Sequence, residues 1–141
     1  MNVPFDLERF VAAQEPIIAR VREELRAGDK QSHWMWFVFP QIAGLGASAM
    51  AQRYAIASLD EARAYLAHPV LGERLRECTE MVLGLEGRDA HAIFGSPDDL
   101  KFRSCMTLFA HSSPAEASFR AALDKYFAGA ADPATLERLT R

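Results

Sequence analysis

Two polar side chains of this sequence flank its largest aromatic cluster, where a buried polar group can do chemistry. His33 and Gln41 lie at either end of the apolar run 34–39. A histidine beside an apolar cluster can act as a general base near neutral pH. The N–H of a buried tryptophan usually needs a partner. We therefore predict His33 as a catalytic residue and Trp34, Trp36 and Gln41 as residues that line a ligand pocket.

The same run has a simpler interpretation as hydrophobic core. Six apolar residues without alternation fit a buried strand or a buried helix equally well. We predict a short buried helix, because Ser32 is a suitable N-cap and the neighbouring segments are predicted as helices. The helix should end before Pro40, which disfavours helical conformation at the residue before it. If every aromatic side chain of the run belongs to the core, the segment has no chemistry of its own.

The small-residue turn 44–48, directly after the run, is a second candidate. Glycine allows a close backbone approach, and free N–H groups at a helix start attract anions. We therefore predict Gly44, Gly46 and Ser48 as ligand-binding residues. The turn matches neither a P-loop nor the glycine pattern of a dinucleotide-binding fold. A tight packing turn is the alternative.

A polar strip follows the helix that is predicted after Pro97. Lys101, Ser104 and Thr107 recur at a spacing of three, as side chains on one face of a helix do. Lys101 can supply a point charge for an anion, so we predict these three residues as a further wall of the pocket. In the alternative, the serine or threonine hydroxyl bonds back to a carbonyl of its own helix.

The remaining titratable residues favour structural interpretations. The four histidines His33, His68, His91 and His111 show neither an i,i+4 pair nor an H-E-x-x-H motif, so no metal and no cofactor is predicted. His68, before Pro69, is predicted at a helix end, where cations are favoured.

Composition narrows the class of protein. The chain has 141 residues, so we predict one domain over 1–141. The net charge is −3 and no basic stripe is visible, which does not favour a nucleic-acid partner. No apolar run approaches the ~18 residues that a membrane span needs, and no signal peptide is recognisable. We expect a cytoplasmic protein with Cys78 and Cys105 as buried free thiols. The oligomeric state is not predicted.

Helix-start signals dominate the rest of the chain. A capping residue, often with proline or an acid in the next turn, recurs before an apolar stripe. These predicted caps are Asp6, Ser58, Asp89, Ser96, Ser113 and Asp132. We therefore predict an all-α fold, an irregular bundle of seven to nine short helices around one core.

Four segments, 32–41, 44–51, 65–75 and 101–109, resemble one bacterial family of unknown function whose members often carry the automatic label calpastatin. The most specific of them is Ser-His-Trp-Met-Trp-Phe-Val-Phe-Pro-Gln. The resemblance implies an all-α fold in a stand-alone cytosolic protein, and it carries over no catalytic residue. The calpastatin label implies little, because an extended inhibitory repeat would be polar and disordered. In size and helicity the chain is also similar to helical proteins that process ADP-ribose-type N-glycosides.

Three hypotheses on function follow. In the first, the chain binds a small anionic or nucleotide-like ligand between segment 32–41, the turn 44–48 and residues 101–107. In the second, the same pocket hydrolyses an N-glycosidic bond, with His33 as acid or base and Lys101 steadying negative charge. In the third, the protein is structural or an interaction partner, and its aromatic residues are all core.

Overall fold

The computed structural model of the protein describes residues 5–140, which form ten α-helices. The all-α prediction is confirmed, and the helix count is close to the predicted seven to nine. No helix within the described part is long and apolar enough to cross a membrane. The helices are α1 Glu8–Gln14, α2 Ile18–Ala27, α3 Met35–Val38, α4 Ala49–Arg53, α5 Leu59–Ala67, α6 Leu71–Leu83, α7 Ala90–Phe94, α8 Asp98–Ser112, α9 Ala117–Phe127 and α10 Pro133–Leu139.

Four helices begin at a capping side chain, and three of these caps, Ser58, Asp89 and Asp132, were predicted. In each, the side chain of the N-cap residue accepts a hydrogen bond from the backbone N–H three residues later, which satisfies a free donor of the first turn. These caps are Ser48 of α4, Ser58 of α5, Asp89 of α7 and Asp132 of α10. Pro16, whose ring disfavours a continuous helix, lies between α1 and α2.

The caps predicted at four other positions are wrong: Asp6, Ser32, Ser96 and Ser113. No side chain caps α1, α3, α8 or α9 at its N-cap residue. For two of the serines the reason is visible, since the hydroxyl of Ser32 donates to Glu24 and that of Ser113 to Glu116. A hydrogen bond to an ionised carboxylate is stronger than one that involves only neutral groups.

His68 lies at a helix end, as predicted, but its ring accepts hydrogen bonds from the next helix start. It ends α5, and its Nδ1 accepts hydrogen bonds from the N–H groups of Val70 (3.1 Å) and Leu71 (3.2 Å) at the start of α6. The imidazole therefore acts as a neutral acceptor at a helix start and not as a cation at a helix end.

α8 is the central element of the fold and packs against α5, α7, α9 and α10. Aromatic side chains pack edge-to-face, tilted or stacked around it, which adds to the free energy gained by burial. The largest fully buried aromatic residues are Phe10, Trp34, Phe39, Tyr65, Phe102, Phe109 and Phe119. Cys78 and Cys105 are free and buried, as predicted, and burial raises the pKa of the Cys78 thiol to about 12.

Candidate functional site

The aromatic segment is held at its first end by one buried carboxylate. Glu24, on α2, accepts hydrogen bonds from the N–H groups of Gln31 (2.8 Å) and Ser32 (3.0 Å) and from the indole Nε1 of Trp34 (2.9 Å). Burial raises the pKa of Glu24, but the hydrogen bonds that it accepts outweigh burial and lower the pKa to about 2. The carboxylate therefore stays ionised and fixes where α3 begins.

A buried amide holds the other end of α3. Gln14 Nε2 donates to the carbonyl of Phe37 (2.7 Å), and its Oε1 accepts from Arg74 Nη1 (3.3 Å). Beyond Pro40 the chain pairs briefly with Ile56, whose N–H donates to the carbonyl of Gln41 (2.8 Å). Residues 34–42 are thus fixed from both sides, which leaves Trp36 half-buried and Gln41 at the surface of a cavity.

Two lysines share one aspartate beneath this segment. Asp98, in the first turn of α8, lies 2.8 Å from Lys30 Nζ and 3.4 Å from Lys101 Nζ. Each ammonium also lies 5.1 Å from a tryptophan ring centroid, Lys30 from Trp34 and Lys101 from Trp36. These distances fall within the range of cation–π attraction. The carboxylate balances only one of the two positive charges, so the group carries a surplus positive charge.

The glycine turn is shaped mainly by packing. Gly44 has φ +97°, and a Cβ there would lie 2.6 Å from the guanidinium carbon of Arg138, whose Nη2 donates to the Gly44 carbonyl (3.2 Å). A Cβ at Gly46 would lie 2.6 Å from the Cβ of Ala51. These contacts favour the packing-turn interpretation for both glycines, although both line a cavity.

Of the three predicted residues on α8, Ser104 and Thr107 use their hydroxyls in hydrogen bonds within the protein, whereas Lys101 lines a cavity. Thr107 is fully buried; its hydroxyl donates to the carbonyl of Arg103 and accepts from the N–H of Asp132, each at 2.9 Å. Ser104 lies 2.9 Å from Asp132 Oδ2 and 3.1 Å from its own helix at Leu100 O. Both hydroxyls therefore dock α10 onto α8.

Two neighbouring cavities lie where the three predicted segments meet. The first, called here the neutral cavity, has a volume of about 280 Å³. It is lined by Trp36, Gln41, Ile42, Gln52 and Tyr54, together with several glycine, alanine and leucine residues. The second, called here the charged cavity, has a volume of about 410 Å³ and is lined by Gln41, Ser48, Leu100, Lys101, Ser104, Asp132 and others. Because Gln41, Leu45, Gly46 and Ala51 line both, we treat the two as one cleft.

The structure brings most of the predicted site residues to this cleft. Seven of them line one or both cavities: Trp36, Gln41, Gly44, Gly46, Ser48, Lys101 and Ser104. Three do not. His33 is exposed and lines neither cavity, Trp34 is fully buried against Glu24, and Thr107 is buried under α10.

Sequence reasoning missed several residues that shape the cleft. Asp132 was predicted only as a helix cap and Asp98 was not among the predicted site residues, yet Asp98 joins the two lysines and Asp132 lines the charged cavity. Lys30 was not predicted as a site residue either, and its side chain is 7% exposed. A lysine four residues before the first of two nearby tryptophans was the available signal, because aromatic faces attract cations.

Comparisons with known proteins give one family and one close structure. A family model described as "Protein of unknown function (DUF1810)" matches residues 4–139. The crystal structure of the conserved hypothetical protein Rv1873 from Mycobacterium tuberculosis is similar to this chain, with 55% sequence identity and a TM-score of 0.97. The match covers 99% of each chain. The comparison with curated proteins yields no match.

Proposed function

The chain belongs to the DUF1810 family, whose function is unknown, and we propose that this member binds a small organic anion in the cleft between α3, the turn 44–48 and α8. One observation carries the proposal. The Lys101 ammonium lies at the cavity wall over the Trp36 ring, and the Asp98 carboxylate that it contacts is shared with Lys30. An ammonium that is only partly neutralised is a natural anion site.

The composition of the cleft agrees with a small ligand. Ligand pockets combine apolar walls with a few polar groups and usually enclose about 300–1,000 Å³. Among the described residues that line the two cavities, Lys101 is the only cation and Asp132 the only anion. The Gln41 amide also faces both cavities, and it has no hydrogen-bond partner among residues 5–140.

The hydrolase alternative has less support. It requires a general acid or base at the cleft, and His33 lies outside it. Asp132 is the one carboxylate among the described lining residues, and its Oδ2 accepts hydrogen bonds from Ser104 and Thr135 in capping α10. We therefore propose binding without a chemical step. The cytoplasmic location expected from the two free cysteines stays a prediction.

Calorimetric titration of the purified protein with AMP, ribose 5-phosphate and pyrophosphate tests the proposal. We expect at least one of the three to bind, and Lys101→Met to weaken binding about 10- to 100-fold, which corresponds to one lost charge-assisted hydrogen bond. Arg120→Gln is the matched control, because it also removes one positive charge but lies exposed on α9 and should leave binding unchanged. The proposal fails if none of the three binds at millimolar concentration, or if both variants weaken binding equally.

A further inference from the structure

We infer that the ligand of the cleft is a nucleoside monophosphate, with its base in the neutral cavity and its sugar phosphate in the charged cavity. The inference rests on the proposed function and goes further, because it assigns a chemical group to each cavity. It follows from the uneven distribution of charge, since both charged lining residues of the described cleft belong to one cavity.

The neutral cavity suits a planar group with polar edges. Its walls include the half-buried ring of Trp36 and the side chains of Ile42 and Tyr54. Aromatic side chains bind nucleobases by stacking on their faces. A simple phosphate or sugar phosphate has no apolar face and would leave these walls in contact with water.

Two amide side chains provide hydrogen bonds for the edge of such a group. Gln41 has both its N–H donors and its oxygen free of partners among the described residues. Gln52 donates from Nε2 to the Ala47 carbonyl (3.0 Å), which leaves its Oε1 as a fixed acceptor. A free amide can pair in two places with the edge of a nucleobase, as glutamine does with adenine. Gln41, which lines both cavities, is therefore the residue that we expect to read the base.

The charged cavity offers one group for a phosphate and one for sugar hydroxyls. Lys101 supplies the cation for the phosphate. The hydrogen bonds from Ser104 and Thr135 all end on Oδ2 of Asp132, so no described residue occupies its Oδ1 as a hydrogen-bond donor. Carboxylates at nucleotide sites accept hydrogen bonds from ribose hydroxyls in this way. An inorganic anion would use Lys101 and leave this carboxylate without a function in binding.

Trp36 provides a direct signal for the test. Its ring lines the neutral cavity, and the Lys101 ammonium lies 5.1 Å from its centroid. A base that enters the neutral cavity should therefore change the fluorescence of Trp36. The fluorescence of Trp34, which is fully buried, should not change.

The experiment compares AMP with its two halves, adenosine and ribose 5-phosphate, by calorimetry and tryptophan fluorescence. We expect AMP to bind about tenfold or more tightly than either half, which is the effect of one stacked base or one charged contact. Gln41→Ala should weaken AMP binding about tenfold and leave ribose 5-phosphate unchanged. Gln31→Ala, which removes an exposed amide that lines neither cavity, is the control. Trp36→Phe should abolish the fluorescence change.

The outcomes separate this inference from the proposed function. Equal binding of ribose 5-phosphate and AMP, still dependent on Lys101, would overturn the assignment of the neutral cavity and leave anion binding intact. Tight AMP binding that Gln41→Ala does not weaken, or that leaves the fluorescence of Trp36 unchanged, would overturn it too, because the base would then lie elsewhere. If no phosphorylated compound binds, both proposals are wrong.

Discussion

Trp34 and Trp36 are two residues apart, and each has a lysine ammonium 5.1 Å from its ring centroid, yet their surroundings differ. Trp34 is fully buried, and its N–H donates to Glu24, which also accepts hydrogen bonds from the N–H groups of Gln31 and Ser32. Trp36 is half-buried, and beside it the Gln41 amide has no partner among residues 5–140. The difference indicates that the first region stabilises the fold and the second is available for a ligand.

Hydrogen-bond satisfaction, and not residue type, distinguishes the two regions. Buried polar groups that bond one another hold a structure in one arrangement. Partly exposed groups without partners bond water, which a ligand can replace. A tryptophan with a lysine beside it is therefore not by itself evidence for either a structural or a ligand-binding function. Its function depends on whether the neighbouring donors and acceptors are already used.

The largest effect that we expect comes from truncating the two tryptophans separately. Trp34→Ala should lower the free energy of unfolding by about 3–5 kcal/mol, as large-to-small changes in a core do. Trp36→Ala should lower it by about 1 kcal/mol, because only part of this side chain leaves water on folding. Urea unfolding followed by circular dichroism measures both. Similar losses for the two variants would contradict the distinction between the regions.

The second effect is a loss of stability at low pH, which we expect from Glu24 beside Trp34. The pKa of Glu24 is lowered from 4.5 to about 2 in the folded protein, so folding favours its ionised form. Its contribution to stability is therefore complete above pH 4.5 and is lost as the pH falls towards 2. Glu24→Gln should lower the free energy of unfolding at pH 7 by about 1–3 kcal/mol, since the amide keeps one acceptor oxygen but lacks the negative charge and the second acceptor oxygen. It should also flatten the decline between pH 4.5 and 2.

Glu77→Gln is the matched control for this acid effect. Glu77 pairs with Arg22 at the surface and its side chain is 43% exposed, so its loss should cost less than about 1 kcal/mol. A Glu24→Gln curve that runs parallel to the wild-type curve below pH 4.5 would show that other carboxylates cause the acid dependence.

The fold class was accessible from the sequence because helix starts are local. Ser48, Ser58, Asp89 and Asp132 each bond a backbone N–H three residues away, so neighbouring residues alone decide the outcome. The failed cap at Ser32 shows the limit of this reasoning. Its hydroxyl bonds to Glu24, eight residues earlier, and no local pattern ranks that carboxylate above the cap.

The sequence also predicted in part where the candidate site lies. It did not predict which side chains line it. The sequence indicated that segment 32–41, the turn 44–48 and residue Lys101 meet, and they do line one cleft. Which side chains of the aromatic run point into the cleft depends on how α3 is rotated. That rotation is set by Glu24 and by Gln14, the buried amide that holds Phe37. Both anchors lie on other helices, so the exposure of His33 could not be predicted.

The smallest stability effect, and the most specific one, comes from the two lysines that share Asp98. Lys30 is 7% exposed and lies 2.8 Å from the carboxylate, whereas Lys101 is 24% exposed and lies at 3.4 Å. Lys30→Met should therefore lower the free energy of unfolding by about 1 kcal/mol, and Lys101→Met by less than about 0.5 kcal/mol.

For anion binding the order should reverse, because only Lys101 lines the cleft. Thermal unfolding with and without AMP measures both properties on the same samples. A variant pair in which stability and binding fall together would mean that the lysines form one structural unit, and the separation of the two tryptophan regions would be wrong.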